Sequence, residues 1–531
     1  MAYHFAMQLR SQPPSIILAK HFSTPFDNAV ATARTCYSSR VITDDDVRKN
    51  LPLRDRIASS TYKAGHHTTL QHAHFEFIFD NVSRQALWSF FHAHPFYNSE
   101  QVSQRYVEVK PGRVLLPELG SAELNARYDA ATERQMACYH RLGELLLPTV
   151  ERLYFGIFPA RKRTVIDKRW TGSIQKRCQE VARYVLPIGT HAHLYHTVSG
   201  LTLHRYHRMS QMEDCPSEQR LIVDAMVAAV AAVDPDFVAL MEEALALEQT
   251  HEHALVNAAR PGPALDVEAA RAFRNEFDAS LDGLTSKLVS MTEQPEAIIG
   301  GGVREVLGLP MSRLSDEEAV ALLLDPAKNP LLGEALNLGS LAKGMRALEL
   351  VQVTFRRKIS HSADSQAQRH RMTPGVRPVL WMHMVPGEAD YVLPVLLEEP
   401  DAEDAKRVFV DEMNAAFADV QFLHDRGVSP QVWQYLLPNA VPVRYTETGS
   451  LLDQHHKWTT RLCYNAQEEI WRATKDEVDQ LAKRAPLLAA WQLAPCGQRK
   501  RANAQPYCPE GERFCGQPVW QKQRSDYLRI L

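Results

Sequence analysis

Two well-separated parts of the 531-residue chain carry the same landmarks in the same order. Gln101-Val102-Ser103-Gln104-Arg105-Tyr106 is echoed by Ser365-Gln366-Ala367-Gln368-Arg369-His370. An apolar, aromatic run precedes each: LWSFFHAH in the first, LVQVTFRRK in the second. Further on, Arg183-Tyr184-Val185-Leu186-Pro187 is matched by Gln434-Tyr435-Leu436-Leu437-Pro438. Ser199 and Ser450 each follow twelve residues after the proline. Agreement at two separated landmarks points to a diverged tandem duplication, so the fold must be one that can be built twice.

Length agrees with this, since one core rarely serves so long a chain. Residues 1–255 read as the first unit, 256–300 as linker and helix, and 301–531 as the second unit with a cysteine-containing tail. Pro261-Gly262-Pro263 and Gly300-Gly301-Gly302 are the breaks that suggest these limits. A polar helix is expected from Asp266 to about Met291. Ser315 and Glu318 have capping-box spacing at the start of another. Arg220 to His253 reads as one or two long helices, with Pro235 between them or in the first turn of the second.

The first unit is organised around Gly65–Tyr106. It opens on His66, His67, His72 and His74, and then alternates Phe75, Phe77 and Phe79 with Glu76 and Ile78. That alternation has the period of a half-buried strand. An apolar helix follows, then a donor-rich loop ending at Tyr106. Loops held by rigid elements are where binding chemistry tends to sit.

The formal net charge of -3 gives no general attraction to nucleic acid or an anionic membrane. A local arginine cluster could still bind a small anion. No apolar run reaches the roughly 20 residues of a membrane span, and the N-terminus lacks signal-peptide patterning. Eight widely spread cysteines do not form a secreted disulfide pattern, so a cytoplasmic compartment is expected.

These residues resemble the flavin-dependent thymidylate synthase family, here as two fused copies. Gly65-His66-His67-Thr68-Thr69-Leu70-Gln71-His72 is similar to the family's G-H-x-[ST]-x-x-E-H loop. Ser103-Gln104-Arg105-Tyr106 resembles the end of R-H-R-x-x-S-x-N-E-x-S-x-R-Y, and Ala33-Arg34-Thr35-Cys36-Tyr37 resembles A-R-x-C-Y. Arg461 with Ala466-Gln467-Glu468-Glu469-Ile470 resembles R followed by A-Q-W-E-I. The departures are specific. In the first copy either Phe91-His92-Ala93 or Ala93-His94-Pro95 occupies the R-H-R site, the latter placing Glu100 and Gln101 at N-E. In the second copy Arg357-Lys358-Ile359 stands for R-H-R, and no histidine loop is evident.

The resemblance implies an α+β fold: two thymidylate synthase-complementing units, each a mixed or antiparallel sheet wrapped by helices. A homodimer would then form a pseudo-tetramer. It implies methylation of dUMP to dTMP, with carbon from methylene-tetrahydrofolate and hydride from NADPH through FAD; such a cofactor carries the hard chemistry and the protein supplies binding and electrostatics. Ser103 and Arg105 would hold nucleotide phosphate, with Arg183 and Arg369 as further nucleotide contacts; an arginine fork beside a hydroxyl suits phosphate. Arg461, with Ser103 the expected catalytic pair, would stabilise charge on the uracil. An ion pair of Arg461 with Glu468 or Glu469 is the alternative. His66, Thr68, Gln71, His92, His94, Ser199 and Ser450 would meet the flavin. The histidines also admit a metal reading. Cys463, Cys496, Cys508 and Cys515 could hold a structural zinc or remain free thiols. Loss of R-H-R leaves two other functions open: a related flavoenzyme for another pyrimidine nucleotide, and a non-catalytic nucleotide- or partner-binding protein.

Overall fold

The computed structural model of the chain describes residues 7–93, 96–163, 168–260 and 265–531. It contains two four-stranded antiparallel sheets with the same strand order, β1-β2-β4-β3 and β5-β6-β8-β7. The first comprises β1 (Ser15–His21), β2 (His74–Ser83), β3 (Tyr97–Gln101) and β4 (His191–Ser199). The second comprises β5 (Ser286–Met291), β6 (Gln352–Ser360), β7 (Gly375–Val376) and β8 (Pro442–Ser450). The aromatic alternation does what its period requires. Phe75, Phe77 and Phe79 are wholly buried, while His74, Glu76, Ile78 and Asp80 face outward.

Matched hydrogen bonds fix the correspondence between the copies. At the end of β2 the Ser83 amide and hydroxyl donate to Glu218, at 2.8 and 2.6 Å. At the end of β6 the Ser360 amide and hydroxyl donate to Glu469, the hydroxyl at 2.7 Å. The Arg84 amide then donates to Thr190 O at 3.0 Å, and the His361 amide to Val441 O at 2.8 Å. Arg84 therefore answers to His361, and Gln85 to Ser362.

The two Tyr-x-Leu-Pro motifs meet across a pseudo-twofold axis. Ile188 N donates to Leu437 O at 2.8 Å, and Asn439 N returns the bond to Leu186 O at 2.8 Å. Gly189 N donates to Tyr435 O and Ala440 N to Tyr184 O, both at 2.9 Å. A Cβ at Gly189 would lie 3.0 Å from Tyr435 O, so this close approach needs glycine. Beside the axis the helices Ala122–Leu145 and Glu403–Asp425 pack together, with Arg134 of one bridging Glu412 and Asp419 of the other. One core runs through both copies, joining Phe75, Phe79 and Trp88 to Phe417, Trp433 and Tyr435.

Several local expectations need revision. Gly300-Gly301-Gly302 is no break; it lies inside the helix Pro295–Leu307. A Cβ at Gly300 would meet Asp316 at 2.2 Å and one at Gly302 would meet Ala347 at 2.9 Å, so these glycines serve close packing. The helix from Asp266 is Val267–Ser280, capped by Asp266, and β5 begins at Ser286 within the stretch read as linker and helix. Arg357-Lys358-Ile359 does not occupy the place of R-H-R before the second donor loop. It lies inside β6, where the Arg357 guanidinium is fully buried against Glu447 at 3.4 Å and Glu477 at 3.2 Å. Ser315 and Glu318 form a capping box as expected. Of the long helices expected over Arg220 to His253, the first, Pro216–Ala231, is present, and Pro235 sits in the first turn of the second, but that helix is only the five residues Pro235–Ala239.

Truncating either leucine at the axis, Leu186→Ala or Leu437→Ala, removes a wholly buried side chain. Each should cost about 2–5 kcal/mol. Because the core is shared, thermal unfolding should move to lower temperature as one transition, without a separate step for the unaltered copy.

Candidate active site

The strand-to-loop step after β3 turns the chain sharply at Ser103, whose carbonyl accepts from Tyr106 N and Val107 N. The Ser103 hydroxyl accepts from Arg105 N at 3.3 Å, which leaves the Arg105 side chain directed inward. A cleft of about 350 Å³ opens here between the copies. Ser103, Arg105, Arg84 and Arg183 line it from the first copy, and Ser362, Gln366 and Arg369 from the second. The structure thus brings together Ser103, Arg105, Arg183 and Arg369, residues drawn from both repeats.

Three of the arginines in this wall are buried. Arg84 donates to Gln101 Oε1 at 2.9 Å and Val102 O at 2.6 Å, but its Nε has no partner. Arg105 donates to Glu180 at 2.9 Å and Asn465 O at 3.0 Å, with Nε unpartnered. Arg183 donates from Nε to Glu180 O at 3.3 Å, and its Nη2 is unpartnered. Gln104 Nε2 and the Ser362 hydroxyl are likewise buried without partners. Buried donors left unmade are costly, so this many around one cleft indicates groups waiting for an acceptor.

Electrostatics point the same way. Burial, helped by repulsion from Arg183, pulls Arg84 down to about 9. Burial also lowers Arg183 below its ordinary value. Arg461 falls to about 10 through burial and the charges of Arg105, Arg369 and Arg357. Against these stands Glu180. Burial acts to raise its carboxyl, but the charges of Arg105, Arg177, Arg529 and Arg183 outweigh that and hold it at about 2. One buried carboxylate faces several guanidinium groups, a second, Glu100, pairing only with Arg369 at the mouth, and an anion would relieve the imbalance.

Arg461 ends the helix Leu451–Arg461 and donates to Gln366 O at 3.2 Å, directly behind the cleft wall. It pairs with neither Glu468, which holds Arg472 at 2.7 Å, nor Glu469, which holds Ser360 and Tyr184. Arg369 lies at the exposed mouth, paired to Glu100 at 2.6 Å.

Sequence reasoning missed Arg84 and Asn439, and it gave no site role to Gln104, Ser362 or Gln366, although Gln104 and Gln366 lie in the repeated landmarks. For Arg84 a signal existed: a lone cation opens the otherwise apolar helix Arg84–Ala93, an end where the helix dipole disfavours positive charge. Asn439 could not be found locally. It donates to Gln104 Oε1 at 3.3 Å and Arg183 O at 3.0 Å, contacts that exist only once the copies dock.

The symmetry-related position is closed. His361 stands for Arg84, Gln434 for Arg183, Gln85 for Ser362 and Ile188 for Asn439. His361 Nε2 lies 3.0 Å from Gln85 Oε1, Gln85 donates to Gln434 at 3.2 Å, and Gln434 donates to Asp214 O. Trp88, buried 5.2 Å from the His361 ring, fills the space and donates to Asp364 at 2.8 Å.

Among the described residues, those expected to meet a flavin do not form one cradle within a chain. His66 and Thr68 are exposed, and His66 lines a small apolar recess with Tyr62 and His67. Gln71 and Ser199 border a separate open cleft of about 410 Å³ with Arg205. The Ser199 and Ser450 hydroxyls cap helices, accepting from Thr202 N at 3.3 Å and Asp453 N at 3.2 Å. His94 and the His92 side chain lie outside the described residues. Among the described residues no group of three or more His, Cys, Asp or Glu side chains is placed to hold a metal ion, the loop histidines and Cys463, Cys496, Cys508 and Cys515 included. No described helix is long and apolar enough to cross a membrane.

Comparison with known proteins agrees with the fold and the doubled landmarks. The sequence matches the thymidylate synthase complementing protein family over residues 17–236 and again over 316–487. The chain belongs to the thymidylate synthase complementing protein family. Two matched segments are what a tandem duplication of a thymidylate synthase complementing unit produces, and membership makes the chain a thymidylate synthase-like methyltransferase. A UMP/dUMP methylase, PolB, from Streptomyces cacaoi, solved with 5-Br dUMP bound, is similar at 18% identity and a TM-score of 0.27, covering 44% of this chain and 96% of that one. No curated protein matches the chain significantly.

Glu180 sets an acid limit on this site. Its ordinary value is 4.5 and its folded value about 2, so its stabilising contribution is complete above 4.5 and is lost as pH falls toward 2. Urea unfolding should show stability declining across that window, and Glu180→Gln should flatten the decline.

Proposed function

We propose that the chain methylates dUMP to dTMP, binding one nucleotide per chain in the cleft between its two copies. The observation that carries this reading is that Arg84, Arg105 and Arg183, each with a buried unpartnered N–H, line one cavity together with Ser103 and Ser362, a donor set that suits a phosphate. In this reading Arg105 and Arg183 grip the phosphate, and Ser103 and Ser362 add hydroxyl donors. Charge-assisted forks of this kind are both strong and geometrically selective. Gln366, held from behind by Arg461, faces the same space. Arg461 then stabilises negative charge that develops on the uracil ring, through a preorganised field rather than proton transfer.

The family reading supplies methylene-tetrahydrofolate as carbon donor and NADPH as reductant, with FAD between them. The chain's own residues bind and orient the nucleotide; the flavin contacts, divided within one chain, are completed in a homodimer. The closed symmetry-related position supports one nucleotide per chain.

Isothermal titration with dUMP should give a stoichiometry of one per chain. Arg183→Ala should weaken binding about 10- to 100-fold, the worth of a hydrogen bond to a charged group. Tritium release from dUMP labelled at carbon 5 should require FAD, NADPH and methylene-tetrahydrofolate together. Tight dUMP binding without release, alongside turnover of another pyrimidine nucleotide, would replace dUMP as substrate. Absence of nucleotide binding would overturn the reading.

A further inference from the structure

A second cavity of about 320 Å³ adjoins the nucleotide cleft, with Arg105, Tyr106 and Arg513 in the walls of both. Its floor comes from the helices Leu147–Ile157 and Lys168–Ala182. Its outer wall comes from residues 510–515, in a tail beyond the last residue matched to the family. The tail is seated tightly. Gly516 has a φ of +81°, and a Cβ there would lie 2.3 Å from Ile157 and 2.6 Å from Phe158. Asn465 further ties the tail down, donating to Arg513 O at 2.6 Å.

The lining combines flat rings with cations. Tyr106 and Phe514 supply apolar faces, and Lys176 and Arg177 supply positive charge, while the Arg161 guanidinium is spent on the Phe158 ring, 3.7 Å from its centre. Glu180, Glu510 and Glu512 are the carboxylate side chains of this wall, and Leu531, which accepts from Arg529 at 3.1 Å, also lines it. Glu180 is committed to Arg105 at 2.9 Å and lies 3.6 Å from Arg177, while Glu510 lies 3.4 Å from Arg513. Lys176 has no carboxylate partner among the described residues and lies 6.0 Å from the centre of the Tyr106 ring. Arg105, whose Nε is buried and unpartnered, lines both cavities.

We propose that this cavity is a second ligand subsite, built by the tail, for a flat ring joined to an anionic group. Stacking on the aromatic walls would hold the ring, and Lys176 with Arg177 would hold the anion. Two sources share that chemistry: the aryl-glutamate end of a reduced folate, and the adenosine diphosphate end of a dinucleotide. Either would stand beside the bound nucleotide.

The test is titration calorimetry of the full chain with p-aminobenzoylglutamate and, separately, with ADP. One probe should bind at one per chain without competing with dUMP. Lys176→Ala and Gly516→Ala should each weaken it about tenfold. The first acts from an exposed helix position and the second by lifting the tail, so one remains informative if the other misfolds. Affinity for dUMP should be unchanged in Lys176→Ala, and it is read independently, so loss of either site is distinguishable from loss of the other; Gly516→Ala also shifts Arg513, which the two cavities share, and is read on the probes alone. Preference for one probe names the source. Failure of both to bind, displacement of both by dUMP, insensitivity to both variants, or inorganic phosphate binding as tightly as either probe would each overturn the proposal.

Discussion

The reciprocal backbone bonds between residues 184–189 and 435–440 are what the rest of the molecule depends on. They satisfy amides and carbonyls that would otherwise be buried without partners. They also set the offset between the copies, and with it the width of the cleft. Arg183 and Asn439 flank these very bonds, so the site's geometry is fixed by the docking of the copies rather than by a flexible loop. Tyr184 extends the arrangement, its hydroxyl reaching Glu469 at 2.6 Å, the same carboxylate that ends β6. A residue of one copy thus anchors the sheet of the other.

Much of the fold could be read from the chain. The alternation at Phe75, Phe77 and Phe79 marked a strand because one face must be apolar. The repeated Tyr-x-Leu-Pro motifs marked the duplication, and their identity as the docking axis explains why that stretch kept its pattern. Ser103 and Arg105 were legible because they sit on a local turn. The edge strand β5, Ser-Lys-Leu-Val-Ser-Met, was not, since a short, half-solvated edge needs little apolar patterning. Arg357 misled because a buried arginine in a strand looks like any other basic residue until its carboxylate partners, ninety or more positions away, are in place.

The site itself was half legible for a similar reason. Ser103, Arg105, Arg183 and Arg369 lie within the repeated landmarks, whereas Arg84, Ser362 and Asn439 lie outside them. The role of Ser362 and Asn439 comes from facing buried guanidinium groups across the axis. The same comparison accounts for the inequality of the two positions. Arginine at 84 and 183 keeps one open and charged, whereas histidine and glutamine at 361 and 434 let neutral groups bond to one another and exclude ligand. A charge that cannot find a partner holds space for one; an amide pair does not.

Joining the copies in one chain has a consequence for dilution. A site shared between separate subunits exists only above the concentration at which they associate. Here Arg105 and Ser362 belong to the same molecule, and the connection between the copies keeps each half at a high effective concentration of the other. The cleft therefore persists in a single chain, however few copies a cell contains. Covalent linkage also releases the two halves from sharing a sequence: each substitution alters one position, where in a symmetric dimer it would alter both. That freedom allowed one of two equivalent places to become part of the core while the other kept its charge.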